Sequence, residues 1–320
     1  MTDPHHPHLQ SLAAYAIRRG VAPADPLRQP LPEARTKAIA YQSIWNEPMP
    51  EGGRHTRHTS PAGTGIDLYI PDEAHGAAPV LFYFHGGGFA LNSVETHRRL
   101  TRLLAQRSGW AVAAVSYDLA PEARFPHQLI QAQDAIDWLR ERAALLGLDG
   151  GRWAVGGDSA GANLALAATI ARRDKGRSAP ALGLLFYGMF SADLDTPSHR
   201  AFGGGAFGLT TERVDWFWSQ YVAQLAERTN PLAAPLYADL RGLPPQVLIA
   251  AGLDCLKDDS VRLADRLTAA GVENRLLVVE GVPHSFMQMS AVLEPADRAI
   301  DDAAAALRAV RSQPIAVAAE

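Results

Sequence analysis

The chain has 320 residues, of which 47% are hydrophobic, so it can bury a large core in one domain, with or without an attached lid. Its formal net charge is −4 and its basic residues are scattered, which argues against nucleic acid or an acidic membrane surface as a partner. The N-terminus lacks the basic segment followed by an apolar one that is typical of a signal peptide, and no apolar run is long enough for a membrane helix. The single cysteine, Cys255, cannot form an intrachain disulfide. We therefore expect a soluble, cytoplasmic protein without a membrane partner.

From about residue 65 onward, short apolar runs alternate with amphipathic segments. The apolar runs predict β-strands at 65–70, 78–85, 110–117, 152–157, 181–188, 246–252 and 274–282. Apolar spacing near 3.6 residues predicts helices at 97–109, 127–147, 160–173, 258–271 and 296–310. Hydrophobic strands that alternate with helices predict an α/β fold, in which a mostly parallel sheet carries helices on both faces.

Two segments, at 1–50 and at about 191–235, do not fit this alternation. The second contains the ring-rich stretch DWFWSQYV at 215–222. We expect both segments to form a lid over the functional edge of the sheet; the alternative is a pair of surface insertions without a role. The predicted organisation is a cap segment at 1–50, followed by a catalytic domain at 51–320 that carries the cap insertion.

The stretch WAVGGDSAGANL at 153–164 places Ser159 between a predicted strand and a predicted helix. Gly157 and Gly161 flank this serine at two residues on either side. A serine in a sharp strand-to-helix turn exposes its Oγ at the sheet edge, and its neighbours must be small to avoid the crossing backbone. The pattern therefore predicts that Ser159 is a nucleophile.

A serine hydroxyl needs a base within hydrogen-bond reach, and the base needs a carboxylate that orients it. Functional groups of a parallel sheet gather after the carboxyl ends of its strands. His284 and Asp254 each come directly after a late predicted strand, in the order Ser159, Asp254, His284 that is expected for a G-x-S-x-G hydrolase. We therefore predict that these three residues are catalytic.

Three other carboxylates compete with Asp254 for the role of the acid. Asp258 and Asp259 follow it closely, and we expect them to cap the next helix instead. Glu280 lies within the last predicted strand and would have to point sideways to reach the site.

The stretch FYFHGGGFAL at 82–91 offers N–H donors for an oxygen that becomes negative during acyl transfer. Three glycines after a strand can turn their N–H groups into one concavity, and the N–H of Ala160, directly after the nucleophile, adds another donor. We expect His85 to hold this loop by hydrogen bonds rather than to act as a base. The Lys-Ser/Thr ending of a phosphate-binding P-loop is absent here.

Four motifs together resemble the hormone-sensitive-lipase group of α/β-hydrolase esterases. They are HGGGF at 85–89, YDLAPEARFP at 117–126, GDSAGANLA at 157–165 and VPHSF at 282–286, and the resemblance covers about 79–310. It implies an α/β-hydrolase fold with a helical cap, and a serine carboxylesterase for short acyl chains that uses no metal and no organic cofactor.

By the same resemblance, the oxyanion donors are Gly87, Gly88 and Ala160, while Gly86 shapes the turn. The family contains monomers and homodimers, and the resemblance implies one or the other. The sequence departs from the family pattern at Ser285, where glycine is frequent, at Cys255, where proline is usual, and at Asp118, where a basic residue is usual.

The predicted partner is a small acyl ester, hydrolysed through an acyl-enzyme on Ser159. The residues leave open a lactone, an amide, a carbamate, or an acetylated sugar or antibiotic as the substrate of the same triad. A non-catalytic ligand-binding protein on the esterase scaffold is a further alternative, which the presence of His284 opposes. Six rings are candidates for the pocket wall and equally for the core: Phe89, Tyr187, Trp216, Phe217, Trp218 and Phe286.

Overall fold

A computed structural model describes residues 6–72, 74 and 76–311. Within them, eight strands form one sheet in the order β1-β2-β4-β3-β5-β6-β7-β8. The strands are β1 Arg54–Thr59, β2 Gly65–Ile70, β3 Ala78–Phe84, β4 Ala111–Ser116, β5 Leu148–Asp158, β6 Gly183–Phe186, β7 Gln246–Leu253 and β8 Asn274–Pro283. The first two strands run antiparallel to their neighbours and all other pairs are parallel, so the predicted mostly parallel sheet is confirmed.

The helices that follow the strands agree in position with the predicted ones. The described residues contain α1 Pro7–Arg18, α2 Leu31–Ser43, α3 Arg98–Ser108, α4 His127–Glu141, α5 Ala160–Asp174, α6 Pro197–Phe202, α7 Thr211–Tyr221, α8 Lys257–Ala269 and α9 Glu294–Arg311. One boundary was wrong: the helix predicted at 127–147 ends at Glu141, and a 3₁₀ turn, Ala143–Leu146, leads to the left-handed Gly147. None of these helices is both long and apolar enough to cross a membrane.

Strand β3 shows why the apolar runs predicted the sheet so well. Phe82 and Phe84 pack into the core layer on one side of the sheet, and Leu81 and Tyr83 pack into the layer on the other. Successive side chains of a strand point to opposite faces, so a strand that helices cover on both sides must be apolar throughout. Helices α4, α5 and α8 contribute to the first layer, and α3 and α9 contribute to the second.

The predicted strands did not include β1, which has the sequence RHTRHT and lies at the edge of the sheet. Its residues are largely exposed and pair only with β2. An edge strand that buries little apolar surface carries no hydrophobic alternation, so the pattern could not reveal it.

Both segments that interrupt the alternation contain helices. Helices α1 and α2 lie within 1–50, and α6 and α7 lie within 191–235. Polar contacts join them to the sheet domain: the guanidinium of Arg35 donates to the carbonyls of Ala90 and Ala120, and that of Arg124 donates to the carbonyl of Val222. Residues 1–5, 73, 75 and 312–320 of the predicted organisation lie outside the described residues.

Candidate active site

Ser159 occupies the turn between β5 and α5 in a strained backbone conformation. Its φ is 55° and its ψ is −119°, and its N–H donates to the carbonyl of Phe186 at 2.9 Å. Such a conformation costs a non-glycine residue on the order of 1–3 kcal/mol and persists only where the surrounding structure imposes it. The turn lifts the hydroxyl above the carboxyl end of β5, as the motif predicts.

The flanking glycines are required because the backbone of β3 passes close to the turn. A Cβ on Gly157 would lie 2.5 Å from the carbonyl oxygen of Phe84 and 2.5 Å from the backbone of Gly161. A Cβ on Gly161 would overlap the same carbonyl oxygen. The predicted reason for both glycines, a close backbone approach, is therefore confirmed.

The structure brings together the three side chains predicted to be catalytic. The Oγ of Ser159 lies 3.0 Å from Nε2 of His284, and Nδ1 of His284 lies 2.7 Å from Oδ2 of Asp254. Asp254 follows β7 and is buried, and its Oδ1 accepts the N–H of Leu256 at 3.0 Å. A buried carboxylate on Nδ1 fixes the tautomer in which Nε2 can accept a proton from the serine.

The competing carboxylates make other contacts. Oδ2 of Asp258 accepts the N–H of Ser198 at 2.8 Å, and Oδ2 of Asp259 accepts the two N–H groups at 190–191, each at 2.8 Å. Glu280 is exposed. The expectation that Asp258 and Asp259 cap the next helix was wrong, because they lie inside the first turn of α8 and its N-cap position makes no side-chain hydrogen bond.

The glycine loop after β3 lies beside the serine. Gly87 and Gly88 have φ values of 125° and 61°, a region that favours glycine, and both line the same cavity as Ser159. Ala160 is the first residue of α5, so its N–H has no acceptor within that helix. Two of the three predicted donors therefore line the cavity that contains the nucleophile, and the third follows the nucleophile directly at the start of α5.

A buried carboxylate that the sequence reasoning did not single out ties this loop to the serine turn. Asp158 accepts hydrogen bonds from the hydroxyl of Tyr83 at 2.8 Å and from the N–H of Gly86 at 2.9 Å, and it lies 3.2 Å from Nε2 of His97. Burial acts to raise the pKa of this carboxyl, but the charge and hydrogen bonds of His97, together with Tyr83, outweigh it and lower the pKa. In the sequence, the only sign that Asp158 has a role at the site is that it directly precedes Ser159.

His85 holds the loop as predicted. Its Nδ1 lies 2.8 Å from the carbonyl oxygen of Gly86, and its ring stacks on Tyr117 with 4.3 Å between the ring centroids. The hydroxyl of Tyr117 donates to the carbonyl of His85 at 2.7 Å. Burial, and then the nearby His97, lower the pKa of His85 to about 4, so it stays neutral at neutral pH.

This burial of a neutral imidazole predicts a stability loss in acid. The pKa of His85 is about 4 in the folded chain and near 6.5 for an ordinary histidine, so the unfolded state binds the proton first as the pH falls. The resulting contribution of His85 to the free energy of unfolding is present above about pH 6.5 and is lost as the pH falls towards about 4. We expect this contribution to amount to about 3 kcal/mol. Urea unfolding of the wild type and of His85→Gln at several pH values measures it.

The exposed His127 supplies the matched control for this experiment. His127→Gln also removes one imidazole but leaves the buried one in place. We expect the acid-dependent loss to shrink in His85→Gln and to persist in His127→Gln. Equal slopes in the wild type and His85→Gln would show that His85 does not cause the loss.

A cavity of about 990 Å³ lies above Ser159 and His284. Both interrupting segments line it: α1 and α2 contribute Leu12 and Tyr41, and the second segment contributes 206–210, 212–214 and Phe217. Within the described residues, no group of three or more His, Cys, Asp or Glu side chains is arranged to hold a metal ion.

Of the six candidate rings, Phe217 alone is among the residues that line this cavity. Phe89 stacks on Tyr221 with 3.7 Å between the ring centroids, in the buried core. Tyr187 packs edge-on against His284, with 5.0 Å between the ring centroids, and so helps to hold the imidazole in place. Tyr41 and Phe207 also line the cavity, and no signal in the sequence points to either, because neither lies near a motif.

The sequence profile of one family, described as having the alpha/beta hydrolase fold, matches residues 81–288. The chain belongs to this α/β-hydrolase family. The match spans the glycine loop, the serine turn and His284, so the predicted family and fold class are confirmed.

This α/β hydrolase is similar to ester hydrolases of known name. It is 37% identical over 247 residues to the ethyl acetate hydrolase of Pseudomonas putida, which covers 76% of each chain. It is 34% identical over 271 residues to an acetyl esterase of Salmonella typhi, which covers 83% of each chain. The predicted class of carboxylic ester hydrolase is confirmed by these relatives.

Solved structures of esterases resemble this α/β hydrolase over nearly its whole length. An ester hydrolase from the metagenome of Lake Arreo, solved with a bipyridine phosphonate derivative, has a TM-score of 0.88 and 33% identity over 96% of this chain and 99% of that one. The hyperthermophilic esterase of Pyrobaculum calidifontis has a TM-score of 0.85 and 32% identity over 94% and 97% of the two chains. Both likenesses extend beyond the 81–288 match into the N-terminal segment.

Proposed function

We propose that this α/β hydrolase cleaves carboxylic esters of short acyl chains through an acyl-enzyme on Ser159. The observation that carries the proposal is the hydrogen-bond chain from Ser159 through His284 to Asp254, at 3.0 and 2.7 Å, at the wall of a large cavity. A hydroxyl, an imidazole and a buried carboxylate in this order form the arrangement that makes serine a nucleophile at neutral pH.

In the first half of the reaction, Oγ of Ser159 bonds to the ester carbonyl carbon while Nε2 of His284 takes its proton. The carbonyl oxygen becomes negative, and the N–H groups of Gly87, Gly88 and Ala160 donate to it. Asp254 stabilises the imidazolium, which then passes the proton to the alcohol oxygen as its bond to the carbon breaks.

In the second half, a water molecule takes the place of the alcohol. His284 removes a proton from the water, whose oxygen bonds to the acyl carbon, and the same three N–H groups hold the second oxyanion. The carbon–Oγ bond breaks, the proton returns to Ser159, and the carboxylic acid leaves. One ester and one water thus give one acid and one alcohol.

The preference for short acyl chains is supported by the names of two relatives, an ethyl acetate hydrolase and an acetyl esterase. Lactones, amides, carbamates and acetylated sugars or antibiotics are alternative acyl compounds for the same three side chains. A ligand-binding role without catalysis is disfavoured, because such a protein has no need of the intact hydrogen-bond chain at Ser159.

A series of nitrophenyl esters from acetate to palmitate tests this proposal. We expect kcat/KM to be highest for the short esters and to fall along the series. A rapid release of nitrophenol, followed by a slower steady state, would report the acyl-enzyme. Absence of turnover on every ester would reject the esterase proposal, and a maximum at palmitate would reject the chain-length preference.

The remaining predictions concern organisation and setting. We propose that 1–50 and about 191–235 form the helical cap of a catalytic domain at 51–320, which is supported by the residues of both segments that line the cavity. The small acyl ester is the proposed partner. Cytoplasmic location and a homodimer stay predictions, which cell fractionation and light scattering test.

A further inference from the structure

Arg213 is a charged side chain on the wall of the substrate cavity, and its guanidinium has no hydrogen-bonding partner within the part of the chain that the structure describes. It lies on α7 and lines the cavity with Ser159 and His284. Its Nε is buried without a hydrogen-bonding partner, and among the described residues no hydrogen bond or ion pair of its guanidinium is found. Its guanidinium makes a cation–π contact with Phe217, whose ring centroid lies 5.7 Å from its Cζ.

This arrangement is unusual for an arginine. A guanidinium carries five N–H donors and stays charged at physiological pH, so taking it out of water without acceptors costs free energy. Arg28, which lies on the same cavity, shows the contrast: its side chain is 87% exposed and its Nε lies 3.6 Å from Asp25. Arg28 is largely solvated, whereas Arg213 is half-buried and its Nε is removed from water.

The charges around Arg213 do not supply the missing acceptor. Asp25 and Tyr41 act on it through space, and both line the cavity. The carboxylate of Asp25 already accepts the N–H of Leu27 at 3.2 Å and faces Arg28. Burial, the largest effect, lowers the pKa of Arg213, which is the expected sign for a cation that lacks a close counter-charge.

Helix α7 sets the separation between Arg213 and the reacting atoms. The ring of Phe217 lies against Gly88, because a Cβ on Gly88 would overlap that ring. Arg213 and Phe217 are four residues apart, so they share one face of the helix and are separated by about 6 Å along its axis. Arg213 therefore lies about one helical turn from the loop that would hold the oxyanion.

We propose that Arg213 binds a carboxylate carried by the ester substrate, at the cap end of the cavity and about one helical turn from the scissile carbonyl. A planar guanidinium can donate two parallel hydrogen bonds to a carboxylate, which matches its unused donors. Tyr41 lies on the same wall and offers a hydroxyl. This inference rests on the proposed esterase function and deepens it: the substrate class is an ester that bears a remote carboxylate.

Paired substrates test the inference in the intact enzyme. One arm places the carboxylate on the acyl side, with nitrophenyl hemiesters of succinic, glutaric and adipic acid against uncharged esters of matched length. The other arm places it on the alcohol side, with acetates of carboxyphenols against acetates of methylphenols. The quantity measured is the ratio of kcat/KM for the charged ester to that for its uncharged partner.

We expect Arg213→Met to lower this ratio by about 10- to 100-fold in one of the arms, the range for a lost charge-assisted hydrogen bond. Arg213→Lys should lose only part of it, because an ammonium keeps the charge without the planar fork. The matched control is Arg298→Met, which removes an exposed cation from α9, a helix that packs on the other face of the sheet. There we expect the wild-type ratio in both arms.

Three results would overturn the inference. They are an unchanged ratio in Arg213→Met in both arms, an equal fall in Arg298→Met, and a fall in Arg28→Met that Arg213→Met does not show. Circular dichroism and turnover of the uncharged esters establish that each variant is folded. If the wild type cleaves no uncharged ester, the proposed esterase function is wrong. If it cleaves them and Arg213→Met leaves the ratio of kcat/KM values unchanged, only the inference about Arg213 is wrong.

Discussion

Ser159→Ala is expected to lower kcat by about 10⁶-fold, the loss that follows removal of the nucleophile from a serine–histidine–aspartate site. The reason is that the Oγ of Ser159 lies 3.0 Å from Nε2 of His284, so it is the hydroxyl from which this base can take a proton. The fold should persist, because alanine is smaller than serine and the turn is imposed by Gly157, Gly161 and the backbone of β3.

Steady-state turnover of a short nitrophenyl ester and covalent labelling by an organophosphate measure this effect. Ser178→Ala is a suitable control, since Ser178 is exposed and its hydroxyl accepts from the side chains of Arg140 on α4 and Arg172 on α5. Ser178→Ala should be labelled like the wild type, and Ser159→Ala should not. Undiminished turnover in Ser159→Ala would remove the basis of the proposed mechanism.

Asp254→Asn is expected to lower kcat by about 10⁴-fold, the loss seen when the orienting carboxylate becomes an amide. Asp254 accepts from Nδ1 of His284 at 2.7 Å. An amide nitrogen at that place would instead donate to Nδ1, so Nε2 would carry the proton and could not accept one from Ser159. The loss of negative charge also leaves the imidazolium without its buried partner.

Asp258→Asn is the matched control, since it makes the same chemical change four residues away. Its oxygen accepts the N–H of Ser198 at 2.8 Å, which an asparagine oxygen can still do. We expect Asp258→Asn to retain most of the activity. If Asp258→Asn lost more activity than Asp254→Asn, the acid would be assigned wrongly.

The strands could be predicted because each central strand is covered on both faces. Leu81 and Phe82 of β3 are both fully buried, in opposite layers, so the sequence there is apolar at every position. The polar edge strand β1 is not covered on both faces, so its sequence need not be apolar, and its pairing with β2 is seen only in the structure.

Ser159 and His284 could be singled out because their constraints are local. The glycines at 157 and 161 are needed by the turn that bears Ser159, and His284 comes directly after the last strand of the sheet. The ends of parallel strands meet at one edge, so the order of motifs along the chain was enough to predict which groups come together.

By itself, then, the sequence determined the α/β fold, the family, the serine turn and the candidate base, all of which depend on short-range patterns and on the order of strands. Only the tertiary structure decided that Asp254 rather than Asp258 faces His284, that Asp158 joins the serine turn to the glycine loop, and that the buried Nε of Arg213 has no partner among the described residues. The physical reason is that burial and pairing of a charge depend on segments far apart in the chain. No local spacing encodes which of many similar carboxylates and guanidinium groups will be removed from water.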